Sequence, residues 1–333
     1  MTKGRLTMGR KVKSIDGLMK HLRDTHHINI NGSSQKQKLR NIGYYHGYKG
    51  YRYYKSPQNK LAYTDFNQIL AVNEFDMSLK AMFYPKIMLI ETALKNYTLE
   101  VILSEVKTDS FNDVFTKVLT HYKSFPHGSG KYKNALKKRL DLRNKIYSTL
   151  SHDYKNKLVI QHFYHQDKNV PIWAIFEVLT LGEFGNFISC LEQPTRKLIS
   201  QSLGINQSFD TDSSLPGSII YTLKDLRNAV AHNDVIFDTR FNTSSIDSTL
   251  CSALSYDCRI NSINFRTITD YVILICFILK QLNISKKDII SMINMFIDIT
   301  ETLRNKIPFS MYSKIIHTDT ATKLSLLKNY IKA

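Results

Sequence analysis

The chain has 333 residues, enough for a sizeable core and for two domains. Hydrophobic residues make up 43% of it, an ordinary globular fraction that argues against a disordered chain. A formal net charge of +18 points to a polyanionic partner, nucleic acid or an anionic membrane surface, and charge alone does not separate the two. No apolar run is long enough to span a bilayer, and the strongest, YVILICFIL at 271–279, reads as a buried helix. The N-terminus is basic but lacks an apolar signal core, so a cytoplasmic protein with no membrane partner is expected. Cys190, Cys251, Cys258 and Cys276 make no CxxC pair. Neither a metal site nor a disulfide framework is expected, and Cys190 and Cys276 read as buried thiols.

In chain order, residues 1–12 are basic and polar and are expected to be mobile at their start. Ser14 caps a short helix that runs to about His26, and His26-His27 reads as its end rather than as a metal pair. A turn at 31–34 leads to a second short helix at 35–42. Then come six tyrosines (Tyr44, Tyr45, Tyr48, Tyr51, Tyr53, Tyr54) interleaved with Lys49, Arg52 and Lys55. Tyrosine faces stack on unpaired bases and cations hold phosphates, so Arg40, Tyr44, Tyr45, Lys49 and Arg52 are candidate RNA contacts. The alternative is an irregular segment whose tyrosines pack against the helical body. Arg40 and His46 form a loose Arg–His pair, but the Gly-Tyr turn between them breaks helical spacing.

A long helical pattern follows at 64–106, with Thr64 as the expected cap and Pro85 permitting a kink. Glu91 stands inside its apolar pattern and needs a partner, either Lys95 at i+4 or a more distant cation such as Arg227. Two or three short basic helices are expected over 107–168, with a loop at 126–130. Lys131 to Lys145 carries seven Lys or Arg residues, either a solvated face or an RNA-binding one. One helix is expected over 171–191, where Gly182 and Gly185 permit close helix approach. There Glu177 and Glu183 are a weak candidate carboxylate pair. Residues 233–263 read as a long polar connection, and 267–283, 285–306 and 308–331 as three C-terminal helices.

The most informative stretch is LKDLRNAVAHN at 223–233. Ile219, Leu223, Leu226 and Val230 fall on one helical face, with Ser213-Ser214-Leu215-Pro216 as the expected start. At about 100° per residue, Asn228 and His232 lie one turn apart on the opposite side, with Arg227 on the flank. Arg suits phosphate recognition and His suits proton transfer near neutral pH. The tripeptide Leu-Arg-Asn occurs four times, but only the copy at 226–228 has a His five residues after its Arg within a helical pattern. A solvated polar face with a capping His is the bland account of the same residues.

Four stretches in this order, LRNIGYYHGY at 39–48, FDMSLKAMFYPKIMLIETAL at 75–94, WAIFEVLTLGEFGNFISCL at 173–191 and LRNAVAHN at 226–233, resemble abortive-infection (Abi) proteins of the AbiD/AbiF type. RNAVAH at 227–232 resembles the RNxxxH signature of HEPN-domain ribonucleases. The chain departs from one habit of that superfamily, placing Lys95 where many members have an Arg four residues after the Glu. The resemblance implies an all-α, HEPN-like helical bundle with additional N- and C-terminal helices. It further implies an antiphage endoribonuclease that needs no metal or other cofactor and leaves 2′,3′-cyclic phosphate ends. Arg227, Asn228 and His232 are its expected catalytic residues. Because one helix supplies a single His, a homodimer with a composite site is expected. A non-catalytic protein holding a small noncoding RNA is the alternative. The expected domains are a basic, tyrosine-rich extension at 1–60 and a HEPN-like domain at 61–333.

Overall fold

The computed structural model describes residues 12–333. The expectation of a mobile start falls on residues 1–11, outside the described residues. Regular structure among the described residues is helical, with isolated bridges joining Asn29 to Asp65 and Tyr53 to Lys60. The protein is all-α, as expected. The first helices are α1 (Ile15–His26), α2 (Gly32–Ile42), α3 (Phe66–Val106), α4 (Phe111–Lys117) and α5 (Gly130–Asp153). The middle of the chain forms α6 (Leu158–Tyr164), α7 (Ile172–Val178), α8 (Leu181–Cys190), α9 (Gln193–Ser202) and α10 (Leu215–Ala231). The last are α11 (Ser248–Cys258), α12 (Ile268–Gln281), α13 (Lys286–Arg304), α14 (Phe309–Ile315) and α15 (Thr320–Lys332). The chain divides into two compact units, Met1–Leu79 with Ile297–His317, and Lys80–Phe296 with Thr318–Ala333.

In the first unit, Ser14 Oγ accepts the Gly17 N–H at 3.2 Å and starts α1, and His27 ends it in the left-handed region at φ 55°. Both features are as expected. α2 begins at Gly32 instead of residue 35, because Gln35 Oε1 turns back to accept the Asn31 N–H at 2.6 Å and so draws the turn into the helix. A π-helical turn, Gly43–Lys49, continues the chain, with Gly47 packed so tightly against Ile42 that no Cβ fits. Asp65, rather than Thr64, caps α3, its Oδ1 accepting the Asn67 N–H at 2.8 Å. Phe66, Ile69, Leu70, Val72, Phe75 and Leu79 are all buried, as their spacing predicts.

In the second unit, α3 runs past Pro85 to Val106 as one helix, and α5 is a single helix of 24 residues where short ones were expected. The helix expected over 171–191 is two helices. Thr180 breaks it: its Oγ1 accepts the Glu183 N–H at 3.3 Å, and Glu183 Oε2 accepts the Thr180 N–H at 2.8 Å. This reciprocal capping box starts α8 and accounts for Glu183, which is buried there while Glu177 is exposed. Gly185 does bring helices together, for a Cβ on it would lie 3.0 Å from the Tyr221 ring on α10. α12 is apolar and buried on every side, with Tyr271 through Cys276 fully inaccessible.

The segment 233–263 is not a plain connection. Val235, Ile236 and Phe237 are buried, and Asp247 caps α11 through the Thr249 N–H at 2.9 Å. The last expected helix is likewise two, α14 and α15, separated by residues 316–319. Behind α12, the buried Lys323 donates to Asp270 Oδ1 at 2.8 Å and to the Ser262 carbonyl at 3.0 Å. Asp270 Oδ2 in turn accepts the Phe265 N–H at 2.9 Å, so one buried carboxylate ties α12, α15 and the preceding loop together.

Candidate active site

α10 carries Arg227 and Asn228 and is followed by His232 as its C-cap. Ile219, Leu223, Leu226 and Val230 are buried, which leaves the other side of the helix to Arg227 and Asn228. The start differs in detail from the sequence reading. The side chain of Ser214 makes no capping bond; Asp210 Oδ1 accepts the Leu215 N–H at 2.9 Å instead. A buried carboxylate at a helix N-terminus is the stronger cap, since it also meets the positive end of the helix dipole.

The end of α10 is set by Asn233. Its φ is 58°, a left-handed conformation that Asn tolerates better than most residues. The Asp234 N–H then bonds the Ala229 carbonyl at 2.8 Å, and the Asn233 N–H bonds the Val230 carbonyl at 3.3 Å. These two bonds form the Schellman pattern that satisfies the last carbonyls. Lys80 on α3 donates to Asn233 Oδ1 at 2.8 Å and so holds the turn from outside. His232 is therefore the C-cap residue and not part of the helix body. Its N–H still bonds the Asn228 carbonyl at 2.9 Å, so the ring stays one turn beyond Asn228, and it is exposed.

Arg227 is anchored on the inner side. Its Nε lies 3.5 Å from Glu91 Oε2 on α3, and its Nη1 donates to Asn228 Oδ1 at 3.4 Å. Glu91 Oε1 takes the Lys95 ammonium at 3.1 Å, and the same ammonium donates to the Leu179 carbonyl at 2.6 Å. Both partners considered for Glu91 are therefore used. One carboxylate stands between two cations, which leaves the cluster with a surplus of positive charge beside the half-buried guanidinium. That is an arrangement for an anion, and phosphate oxygens match the guanidinium fork.

The other candidate residues lie in the first unit. Arg40 and Tyr45 are exposed, Tyr45 at 74%, and the Lys49 ammonium sits 4.7 Å from the Tyr45 ring centre. Tyr44 is buried, with its ring centre 5.5 Å from that of Tyr48, and Arg52 is half-buried. Tyr51 is fully buried and donates to Asp76 Oδ2 at 3.0 Å. Part of the tyrosine cluster is thus core; Tyr45 and Lys55 are exposed, and Lys49, Tyr53 and Tyr54 are half-buried.

Among the described residues, no three or more His, Cys, Asp or Glu side chains gather to hold a metal ion, and no helix is long and apolar enough to cross a membrane. The cysteines are all free thiols, and burial pushes Cys190 up to about 11 and Cys258 up to about 12. The partners that sequence reasoning does not find are Lys80, far in sequence from Asn233, and Asp210, which caps Leu215 from five residues upstream, before the Ser213-Ser214 start the pattern suggests. A model of the family described as Abi-like protein matches residues 37–238, which takes in both Tyr45 and the whole of α10. No curated protein and no solved structure matches the chain.

Proposed function

The chain belongs to the Abi-like protein family, and from that premise we propose that it is an endoribonuclease of an abortive-infection defence, of the HEPN type. The observation that carries this reading is an Arg227 anchored by Glu91 five residues before an exposed His232 at the end of α10, with Asn228 one turn before that His. In the reaction, a ribose 2′-oxygen attacks the adjacent phosphorus and the 5′-oxygen leaves, which gives a 2′,3′-cyclic phosphate and a 5′-hydroxyl. One imidazole takes the 2′-hydroxyl proton and another returns a proton to the 5′-oxygen. Arg227 meets the charge building on the phosphoryl oxygens. Asn228, whose Oδ1 is turned to Arg227, keeps its amide N–H groups for the phosphate or for His232.

Each chain supplies one His232, so the acid and the base come from two copies, and the working form is a cytoplasmic homodimer with α10 of each chain at the two-fold axis. The family resemblance carries no requirement for a metal. The test is incubation of the purified protein with total cellular RNA in EDTA, beside His232→Ala and Arg227→Ala. Cleavage by the parent protein alone, with cyclic-phosphate ends, supports the reading. Equal cleavage by all three removes Arg227 and His232 from the chemistry. Titrating the parent with His232→Ala protein tests the shared site, because a mixed dimer keeps a single imidazole, so activity should fall faster than in proportion to the parent's share.

The second reading is a non-catalytic protein that holds a small noncoding RNA. The exposed Tyr45 ring beside Lys49, with Arg40 at the end of α2, favours it as a base-stacking and phosphate-binding surface. Retention of RNA without cleavage, lost in Tyr45→Ala, would select this reading.

A further inference from the structure

A pocket of about 390 Å³ opens between a 3₁₀ turn, His121–Ser124, and helices α5 and α9. Lys131, Lys138, Arg139 and Arg196 line it together with the rings of His121 and Tyr122, and no carboxylate is among its lining residues. Its size is within the range of small-ligand sites, about 300–1,000 Å³. Two guanidiniums are already in place. Arg139 lies 3.7 Å over the Phe115 ring and donates to the Phe115 carbonyl at 2.6 Å, and Arg196 donates to the Asp212 carbonyl at 3.2 Å. Nε of each is buried and without a hydrogen-bond partner. Burial, and then Arg196 and Lys138, hold the His121 imidazole below its ordinary value, so near neutral pH it offers an uncharged flat ring.

Beside the pocket lies a second cavity: Asn134 and Lys138 also line a wider groove of about 950 Å³ between α5, α8 and α10. Lys137 and Lys145 stand along that groove with their partners Asp141, at 2.8 Å, and Glu183, at 3.5 Å. Lys224 closes its α10 side, one turn before Asn228 on the same helix.

We propose that the pocket holds one nucleotide of a single-stranded RNA, its base against His121 and Tyr122 and its phosphate at Arg139, Arg196 and Lys138, while the groove carries the strand along α5 towards α10. Cations joined to aromatic faces form the recognition chemistry of unpaired nucleotides, whereas bases in a duplex are not free to enter such a pocket. A basic groove that shares Asn134 and Lys138 with the pocket argues for a strand over a free mononucleotide. The inference rests on the ribonuclease reading only in taking the strand to be substrate.

The test is fluorescence anisotropy with a labelled, unstructured RNA of about 12 nucleotides, the scale of single-strand sites. All proteins carry His232→Ala so that the probe survives. Lys131→Glu with Lys138→Glu alters two exposed pocket residues, and Lys133→Glu is the control on the same helix outside both cavities. The pocket variant is expected to bind about tenfold more weakly and to lower the slope of log affinity against log salt by about two. The control stays within about twofold of the parent. Equal weakening by pocket and control variants would reduce the groove to general electrostatics and overturn the proposal. Unchanged affinity in the pocket variant would do the same. AMP displacing the RNA at equal concentration would overturn the strand and leave a mononucleotide site. If the pocket variant loses binding while protein with an intact His232 cleaves nothing, the ribonuclease reading falls and this inference stands. If His232-dependent cleavage survives the pocket substitutions with binding unchanged, the reverse holds.

Discussion

Arg227 Nε and Glu91 Oε2 face each other across 3.5 Å, both buried and neither in a hydrogen bond. The pair is held by charge and by the helices behind it, not by a closed bidentate fork. Glu91 shares its other oxygen with Lys95 at 3.1 Å, so its negative charge is divided between two cations. An arginine held in this way has a fixed origin and an unspent capacity for a phosphate.

From that relationship, Glu91→Gln removes the charge that separates Lys95 from Arg227 and frees the guanidinium to move outward. If the chain cleaves RNA as proposed, kcat falls about 10- to 100-fold through lost positioning, while KM changes little because the cluster becomes more positive. Glu91→Asp recovers part of the rate. Steady-state cleavage of a defined RNA separates kcat from KM, and an unchanged kcat in Glu91→Gln would remove Glu91 from any positioning role.

The stop after α10 gives a prediction about stability. Asn233 sits at φ 58° and carries both Schellman bonds through the turn it makes. Asn233→Val puts a β-branched residue in a left-handed conformation, at a cost of about 1–2 kcal/mol. Asn233→Gly accepts the conformation and gives up the side-chain bond from Lys80. Urea unfolding should therefore rank the parent and Asn233→Gly close together and Asn233→Val clearly below. The reverse order would mean that the Lys80 bond, not the backbone, holds the turn.

Much of the site was readable before the structure, for physical reasons that also mark where reading stopped. The four-three-four spacing of Ile219, Leu223, Leu226 and Val230 can bury only one face, so the free side of α10 followed from the pattern alone. The Glu91–Lys95 pair was legible because both residues lie on one helix. The Arg227 contact to the same carboxylate joins helices far apart in sequence; the need of a buried Glu91 for a cation admits Arg227 as a partner, but periodicity does not choose it. The break between α7 and α8 hid inside continuous apolar sequence. Its signal is Thr180 with Glu183 three residues on, a capping-box spacing that is obscured in the sequence because Glu183 also pairs with Glu177 as a carboxylate candidate. α11 was missed because its Ser-rich sequence resembles a connection; burial of Leu250, Ala253, Leu254 and Cys258, not propensity, holds it.

The buried pair of Lys323 and Asp270 makes a sharper demand. Their side chains are 5% and 0% exposed, and Asp270 also holds two backbone N–H groups of the loop before α12. Lys323→Met leaves that carboxylate buried beside an apolar chain, a loss of roughly 3–5 kcal/mol. The exposed pair of Lys36 and Asp16 is the comparison, and Lys36→Met should move stability by no more than about 0.5 kcal/mol. The shift in urea midpoint measures both. Equal small shifts would show that Lys323 is not the counter-charge that Asp270 needs.

Acid sensitivity should trace in part to His121. In the folded protein its imidazole is held below the ordinary 6.5 by burial first, then by Arg196 and Lys138. In the unfolded chain it titrates near that ordinary value. On lowering the pH through 6.5 the unfolded state therefore takes up the proton first, and stability present above 6.5 is lost as the pH falls towards the lower folded value. His26 is shifted in the same direction, by burial and then by His21, Arg52, Lys60 and Lys49, and adds to the slope. His121→Gln keeps the polar shape without the titration, so its stability should fall less than that of the parent between about pH 7.5 and 5.5, the range in which histidine changes charge. Urea midpoints across that range decide it: parallel curves for parent and His121→Gln would place the acid sensitivity in other groups, and a flatter curve for the variant would place it where Arg196 and Lys138 face a neutral ring.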